Sequence, residues 1–159
     1  MSGDQIGMII GAAFGCAWGI AGAVTLRSPW RETLVIVSFA ISFLLIRATL
    51  SATLPYSHFN GAPYGIAVGL EAVAIAIAAI TLNGTGNASF VPPVVAAIVG
   101  LHFIGLWLAT GKIVFLGICI AMCVVALAGF FSPASARLPV TGLGSALALW
   151  ASVAVALRG

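Results

Sequence analysis

The chain has 159 residues, 62% of them hydrophobic and only 6% charged, with a mean hydropathy of +1.24. A water-soluble domain carries about 25% charged residues, so this surface is made for lipid, and a soluble enzyme or binding domain is excluded. The net charge of +3 comes from six basic residues, scattered singly, against three acidic ones, which excludes a nucleic-acid-binding face.

Apolar runs of roughly twenty residues suit helices crossing about 30 Å of hydrocarbon. They lack the alternation of a membrane β-barrel. Turn-forming punctuation divides the chain into six predicted spans, at about 5–26, 33–52, 64–82, 90–109, 113–131 and 141–157. The expected fold is an all-α integral membrane protein, a single bundle of six helices with short loops that forms one domain over residues 1–159. The first span lacks a basic leader region and is read as a span, not as a cleaved signal.

Span one, "GMIIGAAFGCAWGIAGA", repeats glycine at every fourth residue, Gly7, Gly11, Gly15 and Gly19. Missing side chains on one stripe let another backbone approach closely. The stripe is a helix-packing interface, either inside the chain or towards a second copy or a partner membrane subunit. Span two is followed by the longest connection, "TLPYSHFNGAP", whose Tyr56, His58 and Asn60 are candidates for a gating loop. "NGTGNAS" follows span three. Span four carries Pro92 and Pro93 in its first turn, where proline is tolerated. "TGK" makes a tight corner into span five, and "SPASARLP" is read as the connection to span six.

Three ionisable residues interrupt these spans: Arg47, Glu71 and His102. A central charge costs roughly 2.5–3.5 kcal/mol on insertion scales, so each calls for a reason. At about 1.5 Å per residue, their offsets from the span ends on one side of the membrane are about 9, 10 and 12 Å. The reading therefore sets all three at one level, as a candidate substrate-binding group. Arg47 and Glu71, on consecutive antiparallel spans, are expected to pair. His102 adds an imidazole, the side-chain type suited to acting as a switch or proton shuttle.

Cys16, Cys119 and Cys123 lie inside apolar runs and read as small buried hydrophobes. No cofactor is called for, and Glu71 with His102 supplies too few ligands for a metal. Nucleophile-elbow, zincin, Walker and Rossmann patterns are absent. Three functions are left open. The first is a small transporter or channel-like protein that binds or passes a small polar or ionic solute at the Arg47/Glu71/His102 level. The second is a non-catalytic membrane subunit docking through the first helix. The third is an intramembrane enzyme with Glu71 as acid or base. The expected partner is the lipid bilayer of a bacterial-type inner membrane. Six spans put both termini on one side, and the side carrying Arg27, Arg31 and Arg137 against Lys112 and Arg158 makes the termini non-cytoplasmic.

Overall fold

The computed structural model describes residues 3–53 and 60–158. It is all-helical, without a strand among the described residues. The helices are α1 (Gly3–Ala23), α2 (Trp30–Ser51), α3 (Gly61–Gly84), α4 (Val91–Thr110), α5 (Val114–Phe131) and α6 (Ala134–Ala156), and a 3-10 turn over Ala88–Phe90 leads into α4. All six are long and apolar enough to cross a membrane, the composition of an integral membrane protein. Tyr56 and His58 of the predicted gating loop lie outside the described residues.

Local chemistry sets the helix ends. Asn60 caps α3, its side-chain oxygen accepting from the Ala62 amide at 3.2 Å. This cap lets the helix begin three residues before the predicted span, with Pro63 still in the first turn. Gly111 adopts φ +72° and closes α4 by donating its N–H to the Trp107 carbonyl, a left-handed cap that glycine adopts without strain.

The largest departure from the sequence reading is at α6. "SPASARLP" is not a connection beyond its first two residues. The Pro133 carbonyl accepts from the Ala136 and Arg137 amides, so the helix starts at Ala134 and runs through Pro139. Proline at that position forfeits a single backbone bond, to the Ser135 carbonyl. Ser135 is exposed near the helix start, where its carbonyl can be satisfied by water.

The helices form two compact units, Met1–His58 with Gly142–Gly159, and Phe59–Thr141. In the first, α1 lays its glycines against α6 and α2. A Cβ at Gly15 would collide with the Trp150 indole, one at Gly19 with the Ser38 hydroxyl, and one at Gly11 would come within 3.3 Å of Val153. Gly22 and Gly142 bring α1 and α6 together backbone to backbone, since a Cβ on Gly22 would lie 2.7 Å from the Leu143 nitrogen. The stripe from Gly11 to Gly19 therefore packs within the chain, and Gly7 alone of the four has open space around it.

Several polar side chains of this unit are satisfied within the protein, as a medium without water favours, while the buried Ser145 hydroxyl has no partner among the described residues. Trp150 Nε1 donates to Ser42 Oγ at 2.9 Å, and Ser42 in turn donates to the Ala12 carbonyl at 2.9 Å. One short chain of hydrogen bonds thus ties α6, α2 and α1. Gln5 Nε2 donates to the carbonyls of Thr49 and Ala52 at the end of α2, where helical acceptors lack a full set of intrahelical donors. Ser38 and Thr49 donate to carbonyls one turn back on α2.

In the second unit, α4 is the central helix. A Cβ on Gly100 would come within 2.9 Å of Met122 Cβ on α5, and Met122 is fully buried. Towards α3 the close point is Gly105, where an added Cβ would run into the Ala67 methyl and come 3.3 Å from the Pro63 carbonyl oxygen. No residue of α3 is fully buried. Its large side chains Ile66, Leu70, Val73, Ile77 and Ile80 are exposed, the pattern of a helix that packs by one narrow face and turns the rest to lipid.

Candidate functional site

The contact of Gly105 with Ala67 decides what happens one turn away. Helices α3 and α4 run antiparallel, so four residues forward from Ala67 meets three residues back from Gly105. Those positions are Glu71 and His102. The Asn60 amide, bonded to the Ala109 carbonyl at 2.8 Å, pins the same register at the helix ends.

His102 Nδ1 lies 3.1 Å from Glu71 Oε2, with side chains 10% and 21% exposed. The distance is that of an ion pair, yet the angles fall short of a hydrogen bond, and Nδ1 is buried without a hydrogen-bond partner among the described residues. Aromatic rings fix the imidazole from two sides. Tyr64 meets it edge-on at 5.6 Å and Phe103 at 5.7 Å, while Phe103 stacks on Phe115 of α5. The imidazole is thus wedged in place while its ring nitrogen lacks an aligned acceptor.

Beyond Glu71 the seam between α3 and α4 opens into an apolar groove lined by Ala74, Ile77, Ala78, Thr81, Leu82 and Val94. The alanines fall on the face that carries Glu71 and are too short to fill the gap. Thr81 is the one polar side chain of the lining.

The three residues read as one level divide between the units. Glu71 and His102 meet in the second; Arg47 belongs to the first, exposed on α2 four residues before its end. The helix ends also change the offsets: Arg47 lies about 6 Å inside its helix end, Glu71 about 15 Å and His102 about 12 Å, at 1.5 Å per residue. Asn60 serves as the α3 cap. The thiols of Cys16, Cys119 and Cys123 are free, and no cluster of three metal-ligating side chains occurs among the described residues.

Sequence reasoning missed two groups. The Trp150–Ser42–Ala12 chain had a signal in the glycines of α1, whose missing side chains make room for a large ring. The second is Arg137, in the first turn of α6, hidden by the reading of its segment as a loop.

If the pair stabilises the α3–α4 contact, Glu71→Gln and His102→Gln will be coupled. A double-mutant cycle on unfolding in mixed micelles is expected to give about 1 kcal/mol of interaction, and additive single effects would show that the two side chains are merely close. No family model matches the chain, and comparisons with curated proteins and with solved structures found no match either.

Proposed function

We propose that the chain is a small transporter or channel-like membrane protein whose solute, a proton or another small ion, engages Glu71 and His102. One observation carries the reading: an acid and an imidazole sit side by side in a membrane-spanning seam, with the imidazole nitrogen buried and without an aligned acceptor. A pair kept only to hold two helices together gains from full satisfaction, because half-satisfied polar groups in a low dielectric cost more than they return. Ionisable residues held at such a cost mark ion pathways and proton relays. The membrane we assign is a bacterial inner membrane, with the termini on its non-cytoplasmic face by the distribution of Lys and Arg.

The test is ion flux in vesicles. Protein reconstituted into liposomes carrying a pH-sensitive dye, with a valinomycin-clamped potassium gradient as driving force, is expected to pass protons faster than empty liposomes. Glu71→Gln and His102→Gln should each bring the rate most of the way back to the empty-vesicle level. Arg47→Gln, on an exposed position of the other unit, should leave it nearly unchanged. Wild-type vesicles as tight as empty ones to protons, sodium and potassium would overturn the reading.

A further inference from the structure

At one end of the second unit, the start of α4, the end of α5 and the start of α6 meet around one cation. Arg137 lies flat over the Phe90 ring, its guanidinium carbon 3.5 Å from the centroid, and Phe90 leans on Phe130 at 5.0 Å. Nη1 donates to Ser89 Oγ at 2.5 Å. Nε is shut off from solvent and has no hydrogen-bond partner among the described residues. One face and one corner of the guanidinium are therefore fixed by the protein, while the Nε edge, which with Nη2 grips an oxyanion side-on, is left with a donor and no acceptor.

No carboxylate pairs with Arg137 among the described residues. Glu71 is the only acidic residue between 59 and 141, and it faces His102. Arg137 also stands in the first turn of α6, where the helix macrodipole is positive and a cation is disfavoured. A guanidinium held in place against the dipole, without a carboxylate, makes a locally positive site that an anion would complete. Its position supplies the anion: the cluster lies where spans begin, at Ala88 and Ala134, the level at which a bilayer presents phosphate groups.

We infer that Arg137, with Ser89 and the Phe90 ring, forms a binding site for a phosphate anion, carried by a phospholipid headgroup or free in solution. The site is independent of the Glu71–His102 pair. Phe90 orients the guanidinium and excludes water from one face, Ser89 holds one corner, and phosphate oxygens enter at Nη2, the end of the remaining edge that is not shut off from solvent.

The full-length protein, purified in a mild detergent, would be titrated with phosphatidylglycerol, phosphatidylcholine and inorganic phosphate. Bound molecules are counted by native mass spectrometry, and stability is followed by thermal unfolding. Wild type is expected to retain one tightly held phospholipid or phosphate and to melt higher in its presence. R137Q should bind roughly ten-fold more weakly, the loss expected for one charge-assisted contact, with its melting shift abolished. Protection by inorganic phosphate alone would identify a free-phosphate site; protection only by the lipids would identify a headgroup site. Should R137Q not fold, S89A and R137K carry the test, each expected to weaken binding several-fold while leaving the Glu71–His102 coupling intact. Equal binding by wild type and all three variants, or no probe retained by wild type, overturns the inference.

Discussion

Trp150→Ala is expected to be among the most damaging single changes in the chain, costing about 3–5 kcal/mol of unfolding free energy, the usual range for deleting a large buried aromatic. The indole is 8% exposed. It fills the space that Gly15 and Gly19 leave on α1 and donates to Ser42, which holds the Ala12 carbonyl. Its removal therefore opens a cavity and breaks a hydrogen bond at once. Trp150→Phe separates the two effects. It keeps most of the ring and deletes the N–H, and should cost nearer 1 kcal/mol from the lost bond plus a part for the lost volume.

A Cβ at Gly15 collides with the same indole, so Gly15→Ala is expected to destabilise by about 1–3 kcal/mol through overpacking. In the Trp150→Ala background that collision is gone, and the double change should cost clearly less than the sum. Unfolding in mixed micelles of rising dodecyl sulfate fraction measures all four proteins. Additivity would mean that α1 does not rest on Trp150, and a loss below about 1 kcal/mol for Trp150→Ala would mean that the ring lies in a yielding environment.

The six spans were legible because each apolar run is bounded by residues with a definite local preference. Gly111 needs a left-handed backbone and ends α4, whereas Asn60, read as part of a loop, caps α3 and starts it three residues before the predicted span. The start of α6 was illegible because Pro139 and the polar residues around it have the composition of a loop, whereas one missing backbone bond near a solvated helix end costs little. The candidate site was half legible. Glu71 and His102 could be set near one level by counting along the helices, but the choice of partner needed the packing faces. Two helices lie on either side of α3 in sequence, and adjacency in the chain favours α2 and α4 equally. The deciding signal was present in "HFIG": Gly105 one turn beyond His102 matches Ala67 one turn before Glu71, and small residues facing each other mark where helices in lipid approach. Arg137 shows the opposite limit. Its charge is plain in the sequence, but its lack of a carboxylate and its stacking on Phe90 exist only once three helix ends have met.

That same small-residue contact gives the second large effect. Gly105→Leu is expected to cost about 2–3 kcal/mol by overpacking and to separate α3 from α4 at the turn beside Glu71 and His102. On the proposed function, proton flux should then fall towards that of empty liposomes although Glu71 and His102 are both present. Gly105→Ala is the milder wedge, and its first collision is with the Ala67 methyl. Exchanging the sizes, Gly105→Ala with Ala67→Gly, removes that collision and leaves the Pro63 oxygen as the next neighbour, at 3.3 Å. The exchanged protein should therefore recover most of the stability and the coupling between Glu71 and His102 that Gly105→Ala alone loses. Gly117 on α5, where nothing lies within 4 Å of an added Cβ, is the control, and its change to Ala should be neutral or slightly stabilising because alanine favours the helix. If the size exchange restores stability but not the coupling, close approach at Gly105 is a packing feature alone, and the register of the pair is set instead by the Asn60–Ala109 bond at the helix ends.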